Sequence, residues 1–513
     1  MKRKLLSALL LAVLLLLGGP GNQQGARAAE ETEDSPRLEY NTIEELGGAG
    51  RFAIPIGTIF DQTVKEHFPG AEVLYYPGPV ECALALSSGK ADAVVFDAPS
   101  LRYITACTEG VALMPEYIAK DDYYFILPRS ASGEQLRKEF NSWLSGQKES
   151  GELSRMADYW CGSEEPEAPL DFDSLPDVNG VVRIVTASGS RPDSYSKGTG
   201  ITGFPAELIW RFCRDNGYAA QISMVSFDAE IASIVTGKAD ILIGLFSYTE
   251  ERAKSVLFTD SIMEGGIGVL VRSQETAKSA SVWSALSEGL KKTFITDGRW
   301  QLILSGLGVT VLVTLGGFLL ANILGAGGCA CVLSRHKGLN VLFDVYDRVM
   351  QGTPMVVVLM VLYYVIFGKS RLSGVWIAIF AFGLVSGSAL ARQFSGAITG
   401  VDRGQTEAAL AIGFTPARAF IGIVLPQAVR SALPGYFSEL IGLMKGTAVI
   451  GYIAVNDLTK AGDLIRSSTY DAFFPLLSVA VVYFLIAFLI LSLLKALLKK
   501  LSPRRVQKQE AAK

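Results

Sequence analysis

Two polar residues at the ends of a repeated strand unit are the first candidates for binding chemistry. LALSSGKADAVVFDAP, residues 84–99, and ASIVTGKADILIGLFS, residues 232–247, share a helical run, a Gly-Lys-Ala-Asp turn and an apolar strand. Such buried strands are typical of parallel sheets, which bind ligands beyond the carboxyl ends of their strands. Asp97 and Ser247 each lie near such an end. We therefore expect two α/β lobes whose carboxylate and hydroxyl face one cleft from opposite walls.

A polar segment between long apolar runs is the second candidate. It reads GQTEAALAIGFTPARAFIGIVLPQA, residues 404–428. Glu407 and Ala408 begin a strong helix-forming stretch, Gly413 interrupts it, and Pro426 is expected to close a second short helix. The segment therefore predicts two short helices joined by a glycine elbow, and the alternative is a plain amphipathic surface helix.

The composition argues against several other kinds of chemistry. A net charge of −3 over 513 residues indicates no nucleic-acid partner. His67 and His336 are the only histidines, which argues against a multi-histidine metal site and a His-dependent catalytic triad. The sequence holds no G-x-x-x-x-G-K-[ST] loop for phosphate binding. We expect no catalytic residue, no metal and no cofactor in this chain.

Two further patterns have more than one interpretation. GTGITG, residues 198–203, matches G-x-G-x-x-G, but SYSK precedes it where a strand should stand, so we interpret it as a turn before a helix. The cysteines of the N-terminal half either form disulfides or are small core residues, and their pairing cannot be read from the sequence. These are Cys82, Cys107, Cys161 and Cys213.

Long apolar runs after Trp300 predict membrane spans, since about 20 apolar residues cross a bilayer. The predicted spans are about 302–324, the run PMVVVLMVLYYVIF after Pro354, 374–391, about 433–455 and about 473–494. Five crossings would put the two ends of the chain on opposite sides of the membrane.

The charged segments orient these spans. MKRKLLSALLLAVLLLLGG has a basic start and a leucine-rich stretch, so residues 1–29 are predicted to be a secretory signal peptide, with an uncleaved anchor as the alternative. The binding half then lies outside the cell, and the basic tail and residues 404–428 lie in the cytoplasm. Lys369 and Arg371 fall outside, against the rule. The expected location is the plasma membrane, with several spans and a cytoplasmic C-terminus.

The membrane half resembles the polar amino-acid permeases of ABC importers over about residues 300–498. The resemblance is carried by RVMQGTPMVV, the E-A-A segment, LPQAVRSALP and LMKGTAV. It implies that Glu407, Ala408 and Gly413 belong to a loop that docks into a separate ATPase subunit, which holds the ATP. It also implies a second permease subunit, expected to be another copy of this chain.

Two pairs of positions in this half stay open. Lys445 and Thr447 match a K-x-T turn of the family within the fourth span. Lys445 is either part of the translocation path or a lysine that snorkels to the interface. Arg392 and Ser395 stand where the family carries an E-x-x-R pair, so the role of that pair is in doubt here.

The exported half resembles periplasmic-type amino-acid-binding proteins over about residues 41–272. TIEELGG, IGTIFDQTV and KADAVVFDAP resemble the second lobe of that family, while VVRIVTASGSRPDSY, GFPAEL and SYTEER resemble the first. The second lobe thus precedes the first. We predict one circularly permuted clamshell, because the ends of such domains often lie close together. Two incomplete domains that pair between chains are the alternative.

This second resemblance also implies the ligand-binding residues. Arg252 matches the arginine that binds the α-carboxylate of an amino acid, which suits guanidinium geometry. Asp97 matches the acid that holds the ammonium group. Thr58 and Ser247 match hydrogen-bond donors, and Phe227 matches an apolar platform under the ligand side chain.

Three departures leave the identity of the amino acid open. Ser190 stands where relatives often carry an aromatic residue, and Gly244 and Leu245 replace common hydroxyl residues.

The predicted fold class is an α/β two-lobed substrate-binding domain followed by an all-α five-helix permease domain. The predicted segments are a signal peptide, 1–29; the second lobe with terminal helices, 30–162; a linker, 163–180; the first lobe, 181–281; a linker to the membrane, 282–300; the permease, 301–498; and a basic tail, 499–513. The implied function is amino-acid uptake with a separate ATPase. A ligand-gated channel or an amino-acid sensor on the same clamshell is the alternative.

Overall fold

The computed structural model describes residues 38–501, apart from 41, 109, 163–168, 188, 190, 274–286, 288, 369, 371 and 470. The predicted signal peptide, most of the predicted basic tail and residues 163–168 at the start of the predicted linker 163–180 lie outside the described residues. Lys369, Arg371 and Ser190 lie outside them as well.

Strands and short helices alternate up to Arg272. The strands are β1 (Arg51–Pro55), β2 (Glu72–Tyr76), β3 (Ala93–Asp97), β4 (Val111–Leu113), β5 (Ala119–Pro128), β6 (Val181–Ala187), β7 (Tyr195–Lys197), β8 (Gly200–Thr202), β9 (Ala219–Val225), β10 (Ile241–Ser247), β11 (Val256–Phe258) and β12 (Met263–Arg272). The α-helices are α1 (Phe60–His67), α2 (Pro79–Ser87), α3 (Ala98–Cys107), α4 (Ala131–Glu149), α5 (Glu152–Cys161), α6 (Phe204–Asp215), α7 (Glu230–Val235) and α8 (Glu250–Ala253). Glu45–Gly48 and Phe227–Ala229 are 3-10 turns.

Two parallel half-sheets are joined by two antiparallel crossing strands. The main sheet has the order β2-β1-β3-β12-β5-β10-β6-β9. β2, β1 and β3 run parallel, as do β10, β6 and β9, while β12 and β5 pair antiparallel to each other and to the strands beside them. We call the half built around β1 lobe A and the half built around β6 lobe B. Ligands of such sheets bind beyond the carboxyl ends of the parallel strands, so we expect the binding residues of both lobes there.

Each lobe has its own hydrophobic core, and the crossing strands pass from one core to the other. Ile267 to Val271 of β12 pack in lobe A, whereas Met263 of the same strand packs in lobe B. Tyr123, Phe125 and Leu127 of β5 also belong to the lobe B core. β5 and β12 are therefore the hinge between the lobes.

The helices that follow lobe A in the chain pack against lobe B. Phe140 and Leu144 of α4 and Trp160 of α5 are buried in the same core as Phe212 of α6. The Trp160 indole also donates a hydrogen bond to Glu207 Oε2 at 2.6 Å. The chain thus builds lobe A first, crosses the hinge, and completes lobe B with segments on both sides of the linker.

The membrane half is helical. Its α-helices are α9 (Trp300–Leu333), α10 (Lys337–Gly352), α11 (Met355–Met360), α12 (Gly374–Thr399), α13 (Arg403–Ala411), α14 (Pro416–Ala419), α15 (Leu425–Gly446), α16 (Leu458–Thr469) and α17 (Phe473–Leu501). Lys291–Ile295, Val361–Ile366 and Phe420–Val424 are π-helical, and Thr296–Gly298 and Thr447–Ile453 are 3-10 segments. Within the described residues, three helices are long and apolar enough to cross a membrane, and two bent pairs bring the number to as many as five.

The structure corrects two details of the predicted helices. The run after Pro354 is not a straight span of its own, because Met355–Ile366 rises only about 18 Å, against the roughly 30 Å of a bilayer core. It meets α10 at 107° and forms one bent pair with that helix. Pro426 does not close a helix: the π-helical segment Phe420–Val424 runs directly into α15, and Pro426 lies in the first turn after this change of helix type.

Small residues let α9 and α12 pack closely at the centre of the membrane half. A side chain on Gly325 of α9 would meet Leu390 Cβ at 2.8 Å, and one on Gly387 of α12 would meet Leu324 Cβ at 2.9 Å. Close backbone approach of this kind is the usual means of packing helices in lipid. α17, in contrast, has an apolar spanning window that is only 6% buried. The predicted fold class of a two-lobed α/β domain followed by a helical permease is confirmed.

Candidate functional site

The repeated Gly-Lys-Ala-Asp segment anchors the first strand of each lobe. In lobe A, Asp92 accepts hydrogen bonds from the backbone N, Nε and Nη2 of Arg51 at 3.0, 3.2 and 2.8 Å. In lobe B, Asp240 accepts from the same three atoms of Arg183 at 2.9, 3.0 and 2.6 Å. These aspartates are thus structural, and the ligand-binding candidates lie at the opposite, carboxyl ends of the strands.

Asp97 ends β3 and is only 1% exposed. Its Oδ1 accepts a hydrogen bond from the backbone N of Ser100 at 2.9 Å and so caps α3. Burial raises the pKa of Asp97 to about 7, and the neighbouring carboxylate of Asp121 adds to this. A ligand ammonium group beside Asp97 would favour its ionised form.

Arg252 of lobe B reaches across to lobe A. It lies in α8, which Thr249 caps by accepting a hydrogen bond from the Arg252 backbone N at 3.2 Å. The guanidinium Nη2 donates to Gly57 O of lobe A at 3.0 Å. Burial lowers the pKa of Arg252, and the carboxylates of Glu230 and Asp121 act in the opposite direction. Arg252 and Thr58 line one cavity of about 310 Å³, so the cation and one predicted donor share a space.

Ser247 and Phe227 have other neighbours. Ser247 is buried at the end of β10. Burial raises the pKa of Asp121 on the hinge strand β5, and the nearby Ser247 hydroxyl acts in the opposite direction. The Phe227 ring packs edge-on against Phe96 of lobe A, with the ring centroids 6.4 Å apart. Phe227 thus closes the space between the lobes beside the predicted binding residues.

The five predicted ligand residues gather between the lobes but do not line a single cavity. Thr58 and Arg252 share the cavity described above, whereas Phe227 lines a second one toward the membrane half. Electrostatic contact links Asp121 to Arg252 on one side and to Asp97 on the other. Asp121 is therefore the residue that connects the two parts of the predicted set.

Two of the three departures from the family pattern, Gly244 and Leu245, lie in the described part of the chain. A side chain on Gly244 would meet the Phe246 ring at 2.7 Å, which explains why no larger residue stands there. Leu245 packs at the edge of the lobe B core.

Three further carboxyl groups of the cleft were missed in the sequence. Asp121 lies in the hinge strand, and its Oδ2 is buried without a hydrogen bond. Asp193 of lobe B is buried, and burial together with the charge of Asp97 raises its pKa. Glu230 accepts a hydrogen bond from the backbone N of Ala187 at 2.8 Å, and burial followed by the charge of Asp193 raises its pKa. Asp193 lies within VVRIVTASGSRPDSY, Glu230 within SFDAEI and Asp121 within DDYYFILP, and no local pattern distinguishes them from surface acids.

A second cavity of about 420 Å³ lies between the two lobes and the membrane half. Gly78 and Glu81 of lobe A, Phe227 of lobe B, and Lys460 and Arg466 of α16 are among the residues that line it. The space between the lobes therefore faces α16 of the membrane half.

The lysine of the repeated segment behaves differently in the two lobes. Lys90 of lobe A is exposed. Lys238 of lobe B donates to Phe367 O of the membrane half at 2.6 Å, and its ammonium group lies 4.4 Å from the centre of the Tyr363 ring. A cation over an aromatic ring that also meets a carbonyl group is a favourable contact. Lobe B is therefore docked on the membrane half through this position.

The predicted coupling loop forms the two helices and the elbow. α13 contains Glu407 and Ala408, both exposed, and Gly413 follows it with φ +90°, a conformation that favours glycine. Exposed apolar side chains surround the elbow, among them Ile412 at 74% exposure, Phe414 and Ile421. An apolar surface of this kind on a loop typically meets another protein.

Arg392 finds its acidic partners on another helix. Its Nη2 lies 2.6 Å from Asp344 Oδ1, and its Nε lies 2.8 Å from Asp347 Oδ2, both on α10. The Ser395 hydroxyl donates a hydrogen bond to Arg392 O of the same helix at 3.0 Å. The ion pair joins α12 to α10 and has a structural role.

Lys445 and Thr447 point to different surroundings. Lys445 is exposed near the end of α15, whereas Thr447 is fully buried and donates to Met444 O at 2.8 Å. Their role in a translocation path stays a prediction. Cys82 and Cys213 are buried without a disulfide, as core residues. Among the described residues, no group of three or more metal-binding side chains is present.

Two protein-family models match the chain. The family of bacterial extracellular solute-binding proteins, family 3, matches residues 182–358, and the binding-protein-dependent transport system inner membrane component matches residues 317–504. The first match begins in β6, so lobe A lies upstream of it. The chain therefore unites a solute-binding domain with the inner membrane component of a transport system, as the two resemblances predicted.

Individual relatives match the membrane half. A putative glutamine transport system permease protein of Rickettsia bellii is 28% identical over 204 residues, which is 39% of this chain and 92% of that protein. An arginine transport system permease protein of Bacillus subtilis is 29% identical over 204 residues, with the same shares. A solved structure of an amino acid ABC transporter is 26% identical and covers 44% of this chain and 100% of that chain, with a TM-score of 0.38. The chain is thus homologous to amino-acid permeases of ABC transporters.

Proposed function

We propose that this chain takes up an amino acid: the outer domain captures it, the helical domain translocates it, and a separate ATPase subunit drives the cycle. The observation that carries the proposal is the position of the binding domain and the coupling loop at opposite ends of one helix. Lys238 meets Phe367, shortly before α12, and the loop follows the end of α12. The 26 residues of α12 span roughly 39 Å, more than a bilayer core.

The charges between the lobes support an amino-acid ligand. Arg252 offers a guanidinium group for a carboxylate, which it can bind through two parallel hydrogen bonds. Asp97 and Asp121 offer buried carboxyl groups for an ammonium group, and Thr58 and Ser247 offer hydroxyl groups. In this assignment Asp121 and Asp97 together hold the ammonium group, since Asp121 interacts electrostatically with both Asp97 and Arg252.

The partners and the location follow from the same assignment. The exposed apolar elbow around Gly413 is the surface for the ATPase, which binds ATP, so the chain itself needs no cofactor and carries out no chemical conversion. A second copy of the chain supplies the other half of the pore. The binding domain lies outside the plasma membrane, after export by the N-terminal segment, and the C-terminus lies in the cytoplasm.

Reconstitution tests this function. The full chain and its co-purified ATPase are placed in lipid vesicles, and uptake of single radiolabelled amino acids is measured with ATP inside. We expect uptake of at least one amino acid, accompanied by ATPase activity that this amino acid stimulates. A chain that binds an amino acid but recruits no ATPase and transports nothing would be a sensor, and the proposal would fail.

The coupling loop gives the second arm of the test. Gly413→Val should abolish uptake and leave ligand affinity unchanged, because a β-branched residue is strained at φ +90°. Glu407→Lys should act in the same direction by reversing a charge on α13. Gly396→Val is the matched control, since Gly396 is exposed, helical and open to a side chain. Normal uptake by the Gly413→Val, Glu407→Lys double variant would remove the loop from the coupling mechanism.

A further inference from the structure

α16 touches both lobes of the binding domain. On the lobe A side, Arg466 Nη2 lies 3.0 Å from Glu81 Oε1. On the lobe B side, Lys460 Nζ lies 3.4 Å from Val225 O, and Leu464 O accepts a hydrogen bond from Ser196 Oγ at 3.4 Å. A single helix of the membrane half therefore bridges the opening between the lobes.

The opposite face of α16 is built into the membrane half. Leu458, Ala461 and Ile465 share a buried cluster with residues of α9 and α17. The backbone N of Leu458 donates to Thr310 Oγ1 of α9 at 3.1 Å. A side chain on Gly306 of α9 would meet Asp457 O at 2.6 Å, so the start of α16 fits tightly. A displacement of α16 must therefore move its neighbours, because packed interiors deform little.

α16 also follows directly on the helix that leaves the coupling loop. The loop leads into α15, which continues through the 3-10 segment Thr447–Ile453 to α16. The two helical parts meet at 53°. The contact surface for the lobes and the predicted ATPase surface are thus at the two ends of one continuous stretch of chain.

The two lobes are held in different ways. Lobe B is docked by Lys238 and Ser196 as well as by the contact with Lys460. Lobe A contributes the Glu81–Arg466 ion pair, whose side chains are 13% and 17% exposed. Because β5 and β12 are the hinge, opening of the clamshell on a docked lobe B carries Glu81 away from Arg466. Glu81 then loses its cation, whereas Arg466 keeps its ion pair with Asp463 of α16 at 3.0 Å, and the loss of the Glu81 contact disfavours the open form on α16.

We propose that α16 is the surface through which the membrane half recognises the closed binding domain of its own chain. Lobe B is the fixed lobe, and the Glu81–Arg466 pair forms when an amino acid closes lobe A onto it. This inference rests on the proposed function, since the amino acid is what closes the lobes. Docking on α16 can stabilise the closed state only to the extent that the contacts with α16 are more favourable in the closed state than in the open state.

Disulfide trapping tests the geometry without the ATPase. The Glu81→Cys, Arg466→Cys double variant of the full chain is placed in lipid nanodiscs and oxidised with and without the amino acid that calorimetry on the same preparation shows to bind. We expect bond formation to be faster by about fivefold or more with the amino acid, within the usual range of coupling between sites. The two single-cysteine variants are the controls for the native cysteines. Equal rates with and without a bound amino acid would overturn the inference while leaving binding, and thus the proposed function, intact.

A charge swap tests the role of the pair in coupling. In vesicles with the ATPase, Glu81→Arg and Arg466→Glu should each keep the basal ATPase rate, weaken amino-acid binding by no more than the coupling factor of about fivefold, and lose ligand stimulation by about fivefold or more. The double variant should recover most of the stimulation, because the opposite charges face each other again. Arg155→Glu, in an exposed ion pair of α5, is the matched control. Full stimulation in both single variants, or no recovery in a double variant that still binds ligand, would overturn the proposal.

Discussion

Lobe A and lobe B share one internal frame but perform different tasks. Arg51 with Asp92 and Arg183 with Asp240 make the same set of hydrogen bonds at the same place in each lobe. Beyond this frame the lobes diverge, since lobe A presents a buried acid at its strand end whereas lobe B presents Arg252 and docks on the membrane half. The comparison teaches that sequence repetition marks the scaffold and that the function lies where the repeat breaks down.

The largest expected effect is on ligand affinity, through the cation of lobe B. Arg252→Ala should weaken amino-acid binding by roughly 100-fold, because loss of one partner of a buried charge pair costs a few kcal/mol. Calorimetry on the full chain measures this. Arg129→Ala, an exposed arginine of lobe B that donates to Ala253 O, is the control and should bind normally. If Arg252→Ala bound the amino acid as tightly as the wild type, the role assigned to Arg252 in lobe B would be wrong.

The acid of lobe A should make binding depend on pH. The Asp97 carboxylate must be ionised to hold an ammonium group, and its pKa is about 7. Affinity should therefore rise by about tenfold or more from pH 5.5 to pH 8 and then level off. Asp97→Asn should bind weakly at all pH values and lose most of the slope. A wild-type affinity that does not change with pH would contradict the assigned role of Asp97.

Asp97 should also make the stability of the ligand-free protein depend on pH. The direction is opposite to that of ligand affinity, because stability should fall as the pH rises. Because the pKa of Asp97 is raised above the usual value of 3.8, the folded state holds the proton more tightly than the unfolded state. Stability then falls as the pH rises from about 4 to about 7 and is level above that. Thermal melting of wild type and Asp97→Asn across this range separates the contribution of Asp97 from those of the other buried acids.

The shared frame should be similarly important in both lobes. Asp92→Asn and Asp240→Asn should each destabilise the binding domain by about 1 to 2 kcal/mol, since both lose charge-assisted hydrogen bonds to a partly exposed arginine. Asp92→Asn should have the larger effect, because Arg272 also lies 3.4 Å from the Asp92 carboxylate. Chemical denaturation of the full chain in detergent measures both. A large effect in one lobe and none in the other would show that the repeat is not a common frame.

The smallest expected effect concerns docking. Lys238→Ala should lower uptake by about threefold, the size expected for a cation over an aromatic ring with one hydrogen bond, while ligand affinity stays the same. Lys90→Ala is the matched control, since it is the equivalent lysine of lobe A and is exposed. If Lys90→Ala reduced uptake as much as Lys238→Ala, both lobes would dock alike and the asymmetry would be wrong.

The sequence predicted the fold class, the glycine elbow and the positions of the long apolar helices because these follow from local patterns. Gly413 has φ +90°, a backbone conformation that glycine adopts readily. The sharp bend after α10 was missed, since the apolar run after Pro354 looks the same whether it is straight or bent at 107°. Pro426 was misplaced because a proline at a helix start and one after a helix end cannot be told apart without the neighbouring turns.

The cleft was predicted in part. Arg252, Asp97 and Ser247 lie between the lobes, but Asp121, which links them electrostatically, sits in a hinge strand whose position depends on the whole sheet. The contact of Glu81 with Arg466 joins residues that are hundreds of positions apart, and no local pattern could indicate it. Long-range pairing of this kind is decided by tertiary packing.

The covalent connection from β12 to α9 fixes the ratio of binding domains to helical domains at one to one. The chain passes from Arg272 at the end of the hinge strand to Trp300 at the start of the first membrane helix, so each permease carries its own binder. Encounter between the two becomes a unimolecular step, and the uptake rate no longer depends on how much binding protein the cell makes. An empty binder also cannot diffuse away to let a loaded one take its place. Turnover at low amino-acid concentrations is then limited by how fast one tethered domain refills.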